Sequence, residues 1–100
     1  MLYKIEYSSR AIQDIDGFYD YIIFNYQDYF VASNAVKAIR KQIDSLKQNP
    51  RRKKFNNEYY YIRAKRYKIF YHISGNKIYI VRVFHSLQTP VLPDINPLML

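Results

Sequence analysis

The spacing of apolar residues divides the chain into a helical first half and a stranded second half. After a short alternation of apolar and polar residues at 2–7, apolar side chains recur every three or four positions from about residue 9 to residue 25. They do so again from Tyr29 to Gln48. This period is typical of amphipathic helices. Asn49-Pro50 ends the second helix, because proline disfavours a helical conformation in the residue before it.

Beyond residue 57 the period changes to two, which is typical of strands. These segments are rich in Tyr, Ile, Val and Phe, and Gly75-Asn76 is a two-residue turn signal. With the early alternation counted as a strand, the order is β-α-α-β-β-β. We therefore expect an α+β fold in which a helical hairpin packs on a small, mainly antiparallel four-stranded sheet. The three later strands are predicted at Glu58–Lys65, Tyr67–Ser74 and Lys77–His85.

The chain has 100 residues, which suffices for one domain with one core. We place that domain at residues 1–88 and an apolar tail at residues 89–100. Pro90, Pro93 and Pro97 interrupt regular structure in the tail. The tail can dock on its own domain or on a partner, and we favour its own domain.

The Gly75-Asn76 turn predicts a register that gathers three candidate site residues. If pairing continues from the turn without interruption, Arg66 faces His85. Arg66, Lys68 and His85 then lie on one face of the sheet, at the end remote from the turn. Two cations beside an imidazole can bind a phosphate or transfer a proton. The simpler alternatives are a histidine that caps a strand end and a lysine that faces solvent.

The same register places Arg82 on the more apolar face, which the helices should cover. A guanidinium without a partner is costly in such surroundings. We therefore expect its side chain to reach the sheet edge or to pair with an acid of the first helix, namely Asp14, Asp16 or Asp20.

Composition excludes several kinds of site. The absence of cysteine rules out disulfides, thiolate nucleophiles and cysteine-based metal sites. Two histidines and two distant glycines argue against a His-rich metal site and a Gly-rich phosphate loop, so we predict neither a metal nor a cofactor. No apolar run approaches the ~18 residues of a bilayer span, and the N-terminal residues do not resemble a secretion signal. We expect a cytoplasmic protein without a membrane partner.

Positive charge is concentrated in one part of the chain. The formal net charge is +8, and residues 51–72 carry eight basic residues against the single acid Glu58. Such a field suits a polyanion or an acidic protein, and the interleaved aromatic residues favour a partner over a merely solvated surface. The basic residues are Arg51, Arg52, Lys53, Lys54, Arg63, Lys65, Arg66 and Lys68.

Two segments, Ile62–Tyr71 and Ile78–His85, resemble the C-terminal sheet of the RelE/ParE superfamily of bacterial toxins. The resemblance extends over residues 2–88. It implies a toxin of a type II toxin–antitoxin pair that arrests growth and is neutralised by a cognate antitoxin protein. Residues upstream are similar to the helical hairpin of that superfamily, namely Ala11, Asp14, Tyr21, Ile22, Ile43, Leu46 and Pro50.

The resemblance implies one of two activities. RelE-like members cut messenger RNA on the ribosome without a metal, whereas ParE-like members poison DNA gyrase. Lys68 occupies the place of a sheet arginine, and His85 matches a histidine found in several branches. Tyr59 and Tyr61 stand where RelE has two catalytic lysines. The ending Arg82-Val83-Phe84-His85 is closer to the ParE-like branch.

We therefore favour a ParE-like inhibitor of DNA gyrase and keep two alternatives. One is a ribosome-dependent endoribonuclease that acts on mRNA, with His85 and Lys68 as its catalytic residues. The other is a basic RNA- or DNA-binding module without toxicity. The residues predicted to contact nucleic acid or another target are Arg51, Arg52, Lys53, Lys54, Arg63, Lys65, Arg66 and Arg82.

Overall fold

The computed structural model describes residues 2–93, in which a helical hairpin packs on a five-stranded sheet. The α+β class and the element order are as predicted, but the sheet has one strand more. This additional strand has only two residues, which is too short to show a period in the sequence. The elements are β1 (Lys4–Tyr7), α1 (Ser9–Tyr26), α2 (Tyr29–Ser45), β2 (Lys53–Lys54), β3 (Tyr60–Ala64), β4 (Tyr67–Ser74) and β5 (Lys77–His85).

The strands lie in the order β1-β5-β4-β3-β2. β1 runs parallel to β5, and the other neighbouring pairs are antiparallel. Helix α2 ends at Ser45, earlier than the predicted Gln48. Leu46 caps the helix, because its backbone N–H donates to the carbonyl of Ile43 at 3.0 Å. β5 is the second strand of the sheet, and β1 pairs with only the first half of its outer edge, at Lys77–Ile80.

Side-chain caps fix both helix starts. Ser8 Oγ accepts a hydrogen bond from the backbone N–H of Ala11 at 3.0 Å, and Asp28 Oδ1 accepts one from Val31 at 3.0 Å. α1 ends at Tyr26, and the next residue, Gln27, caps it with a φ of 53° that turns the chain sharply. Only two residues therefore separate the helices, which makes the hairpin tight.

The core lies between the helical hairpin and one face of the sheet. The apolar stripe of each helix faces inward, and aliphatic residues of the three long strands meet it. Tyr71 is fully buried among them, with its hydroxyl donating to the Pro50 carbonyl at 2.5 Å. The core comprises Ala11, Ile15, Ile39, Ile43, Leu46, Ile62, Ala64, Ile69, Tyr71, Ile78, Ile80 and Val83.

A β-bulge interrupts the pairing of β4 with β5. The predicted register is correct from the turn as far as Tyr71 opposite Ile80. The next pair is Phe70 with Arg82, so Val81 is an extra residue on β5. Ser8 fixes this point, because its Oγ donates to the Val81 carbonyl at 2.7 Å where β1 passes into α1.

Because of the bulge, each later residue of β5 lies on the face of the sheet opposite to the predicted one. Tyr67 now pairs with His85, and Lys68 pairs with Phe84. Paired residues share a face and successive residues alternate, so His85 lies on the helix-covered face and Lys68 on the opposite one. The predicted pairing of Arg66 with His85 is therefore wrong. We call the side without helices the open face.

Candidate functional site

The open face carries a short basic patch around an aromatic ring. Lys53 pairs with Tyr61 across β2 and β3, and Arg63 pairs with Lys68 across β3 and β4. The Lys68 ammonium lies 5.2 Å from the centroid of the Tyr61 ring, which is a cation–π contact. Three cations beside an aromatic ring can hold a phosphate chain or an acidic peptide.

The centre of the open face is apolar. Phe70 is completely buried there, because the rings of Phe55, Tyr61 and Phe84 surround it at centroid distances of 5.1, 5.9 and 5.8 Å. The hydroxyl of Tyr59 donates to the carbonyl of Pro93, so the tail contacts its own domain at this point. Residues 94–100 of the predicted tail lie outside the described residues.

His85 is held at the end of β5. Its ring packs edge-on against Tyr67 at 5.7 Å, and its Nδ1 accepts a hydrogen bond from the backbone N–H of Leu87 at 3.2 Å. Its own backbone N–H donates to Gln88 Oε1 at 2.7 Å. The catalytic corner predicted from Lys68 and His85 is therefore not formed, since the bulge at Val81 separates the two across the sheet.

Arg66 and His85 do come together, in a cleft of about 630 Å³ between α1 and the end of β5. Arg66 lies in the β3–β4 turn, and its carbonyl accepts a hydrogen bond from Ser86 at 2.7 Å. Tyr67 lines the same cleft, and burial raises the pKa of its phenol. We call this space the α1 cleft.

Arg82 is joined to α1 by a two-pronged ion pair. Its Nε and Nη2 donate to the Asp14 carboxylate at 2.7 and 3.0 Å, and the backbone N–H of Val83 donates to the same carboxylate at 2.9 Å. The predicted partnership with an acid of the first helix is thus correct, but the predicted face is wrong. Because of the bulge, Arg82 pairs with Phe70 and lies with it on the open face. The guanidinium also lies 4.4 Å from the centroid of the Phe84 ring. The Arg82–Asp14 pair consequently joins α1 to the part of the β5 edge that does not pair with β1.

The remaining predicted cations point in several directions. Arg51 donates to the Tyr3 hydroxyl at 3.2 Å, which raises the pKa of its guanidinium. Arg52 donates to the Asn49 carbonyl at 2.7 Å and to Ser45 Oγ at 3.1 Å, so it closes the end of α2. Lys54 lies on the edge strand and Lys65 in the β3–β4 turn. The charge cluster in the sequence therefore divides into separate surfaces of the fold.

The tip of the helical hairpin is a surface that the sequence pattern did not predict. Its large apolar side chains are mostly in solvent, with Phe24 85% and Phe30 76% exposed. Three of these side chains are tyrosines, namely Tyr21, Tyr26 and Tyr29. The signal was available, because an aromatic residue recurs at nearly every second or third position there without a helical period. The exposed residues are Tyr21, Phe24, Tyr26, Tyr29, Phe30 and Val31.

The described residues offer no metal centre and no membrane span. Among residues 2–93, no three His, Asp or Glu side chains form a group that could hold a metal ion. Neither helix of this part of the chain is long and apolar enough to cross a bilayer.

Comparison with known proteins identifies the family. Residues 5–90 match the family model described as the ParE toxin of type II toxin–antitoxin system, parDE. The chain belongs to this toxin family. The predicted membership of the RelE/ParE superfamily is thereby confirmed. A search of curated proteins gave no significant match.

Solved structures share the fold. A chain of the chromosomal ParDE toxin–antitoxin system from P. aeruginosa superposes with a TM-score of 0.73 at 19% identity, covering 84% of this chain and 96% of that one. A chain of the RelBE2 toxin–antitoxin complex from Mycobacterium tuberculosis gives 0.56 at 13% identity, covering 85% and 99%. At identities this low, the two superpositions show a common fold and nothing finer.

Proposed function

We propose that this ParE-family toxin arrests bacterial growth by inhibiting DNA gyrase, without cutting RNA. The observation that carries the proposal is the bulge at Val81, which leaves Lys68 and His85 on opposite faces of the sheet. General acid–base cleavage needs both groups within hydrogen-bond reach of one phosphate. A protein inhibitor has no such requirement, because it acts through surface contacts.

Family membership also supports this choice. The match to the ParE model spans residues 5–90, and the chain superposes better on the ParDE chain than on the RelBE2 chain. The sequence agrees, since Tyr59 and Tyr61 stand where the nuclease branch is expected to have lysines. Tyr59 is buried and its hydroxyl is bonded to the tail, so its phenol is poorly placed to reach RNA.

A supercoiling assay tests the proposal. Purified toxin is added to gyrase, ATP and relaxed plasmid, and we expect supercoiling to fall in proportion to toxin until it stops. Heat-denatured toxin is the control. Full supercoiling at a saturating ratio of toxin to gyrase would contradict gyrase inhibition.

The basic patch of the open face favours a second candidate, a ribosome-dependent endoribonuclease. Lys53, Arg63 and Lys68 beside Tyr61 could grip the RNA backbone even without His85. Primer extension on a translated message tests this candidate. Cuts in the ribosomal A site that vanish in Lys68→Ala, with gyrase untouched, would replace the first proposal with the second.

A cognate antitoxin is the proposed partner. The two structural neighbours are chains of toxin–antitoxin systems, and the strong positive charge of this toxin suits an acidic protein that covers it. Co-expression with the product of the adjacent reading frame should restore growth and yield a complex stable in size-exclusion chromatography. Continued arrest with no complex would refute that pairing.

A further inference from the structure

The outer edge of β1 exposes backbone hydrogen-bonding groups. β1 is the last strand on its side of the sheet, and the backbone N–H groups of Lys4 and Ser8 donate on the side of β5, at 2.8 and 2.9 Å. Backbone groups of successive residues point to alternate sides of a strand, so the N–H and C=O groups of Ile5 and Tyr7 point away from β5. Within residues 2–93 no strand pairs with this side of β1. Such an edge is a template for pairing with another chain.

The two ends of the sheet differ in how well they resist self-pairing. β2 has only two residues, and both are lysines, which is a common protection of an edge strand because two copies repel. β1 is twice as long and carries one charge of each sign, Lys4 and Glu6. This combination does not repel a second copy of the same strand.

A groove of about 540 Å³ lies beside the outer edge of β1. Residues 2–7 line it, together with Asp44 and Lys47 from the region where α2 ends. The chain carries a net charge of +8, yet the two bases and two acids of this groove balance one another. The groove therefore has little attraction for an acidic partner, and its alternating charges suit a segment that also carries both signs.

A second copy of β1 matches both the backbone and the charges. In an antiparallel pair related by a two-fold axis at Ile5, the two Ile5 residues exchange their N–H and C=O bonds, and Tyr3 lies opposite Tyr7. In the same register Lys4 lies opposite Glu6. The two-fold axis repeats this pair of opposite charges, so each dimer contains it twice.

Lys4 lacks a counter-charge in the single chain. It lies opposite Lys77 in the parallel ladder, and like charges in that position are destabilising. Within residues 2–93 Lys4 forms no ion pair, whereas Glu6 lies 3.6 Å from the Lys77 ammonium. Glu6 of a second copy would supply Lys4 with the acid that its own chain does not.

From these observations we infer that the free toxin forms a homodimer through β1, in which two five-stranded sheets join into one continuous sheet. The two-fold axis is perpendicular to the sheet, so both open faces lie on one side and both helical hairpins on the other. Because the paired strands are short, the dimer is weak and reversible. Repulsion between two chains of charge +8 is screened at physiological salt, where the Debye length is about 8 Å.

Charge reversals at the edge test the inference. Glu6→Lys places lysines opposite each other in the dimer, and Lys4→Glu places acids opposite each other. Sedimentation equilibrium of the purified toxin should show that each change weakens self-association by roughly tenfold or more. Asp20→Lys is the matched control for Glu6→Lys, because it makes the same charge change on an exposed residue of α1, and it should associate like the wild type. Circular dichroism verifies that every variant is folded.

A mixture of the two edge variants distinguishes pairing from a structural effect. When Lys4→Glu meets Glu6→Lys, each lysine again lies opposite an acid. We therefore expect an equimolar mixture to dimerise about as well as the wild type, although neither variant does so alone. Damage to the strand itself would not be repaired by mixing.

Three results would overturn the inference. The first is a wild type that stays monomeric over roughly 10–500 µM, the range in which a small interface should associate. The second is a dimer that neither charge reversal weakens, which would assign self-association to another surface. The third is a monomeric wild type whose binding to the antitoxin is lost in Glu6→Lys but kept in Asp20→Lys, which would assign the edge of β1 to the antitoxin.

Discussion

Removal of the Asp14 carboxylate should be among the most damaging single changes in this toxin. Asp14 accepts two hydrogen bonds from Arg82 and one from the backbone of Val83, and the two side chains are only 12% and 17% exposed. Asp14→Ala leaves a largely buried guanidinium and a strand N–H without their acceptor. Breaking such a pair from one side costs about 3 kcal/mol, at the lower end of the range for buried pairs because Phe84 still faces the guanidinium.

This loss should be plain in thermal unfolding. For a domain of this size, about 1 kcal/mol moves Tm by roughly 4–8 °C, so Asp14→Ala should lower Tm by at least about 12 °C. Asp16→Ala is the matched control, because Asp16 is an exposed acid of the same helix and forms no ion pair within residues 2–93. We expect the control to stay within about 0.5 kcal/mol of the wild type.

A double-mutant cycle separates the ion pair from other effects. Because Asp14 and Arg82 share their interaction, the loss in Asp14→Ala/Arg82→Ala should fall short of the sum of the single losses by about 1 kcal/mol or more. Urea unfolding gives each free energy. Strict additivity, or an Asp14→Ala variant as stable as Asp16→Ala, would refute the role assigned to this pair.

Three further predictions concern stability. Burial raises the pKa of Tyr71 to about 12, so its contribution to the free energy of unfolding is complete below pH 10 and falls by about 2–3 kcal/mol between pH 10 and pH 12. The urea midpoint of the wild type should fall over that interval, and that of Tyr71→Phe should fall much less. Ser8→Ala removes the cap of α1 and the bond to the Val81 carbonyl, and should cost about 1–2 kcal/mol in the same assay, whereas no loss would show that the bulge needs no serine. Gly75→Ala should destabilise by about 1 kcal/mol because φ is +59° there, while Gly17→Ala should stabilise by up to about 1 kcal/mol; equal effects would contradict the backbone assignments.

Periodicity predicted the elements of this fold but not the side of the sheet on which every residue lies. The register inferred from the Gly75-Asn76 turn holds only while the ladder is regular. The bulge at Val81 carries no glycine or other local signal, since it is fixed by Ser8 at a distance of 73 residues in sequence. One extra residue is enough to send His85 to the face opposite Lys68.

The ion pair of Arg82 was predicted more successfully than the faces of the sheet, because only a few acids could be its partner. Arg82 had three acids within reach on the first helix, and Asp14 is the one that meets it. The larger basic cluster could not be placed from sequence, because a turn and an edge strand distribute neighbouring cations over different surfaces. The exposed aromatic residues of the hairpin tip were not predicted, because composition alone does not distinguish an exposed surface from a core; only their irregular spacing indicated it.

Pulse labelling of cells after toxin induction tests the central claim most directly. Incorporation of labelled thymidine into DNA and of labelled methionine into protein is followed over the first minutes of arrest, with uninduced cells as the control. Gyrase inhibition predicts that DNA synthesis falls first while protein synthesis continues. Immediate loss of methionine incorporation with DNA synthesis still running would contradict it and place the target on the ribosome.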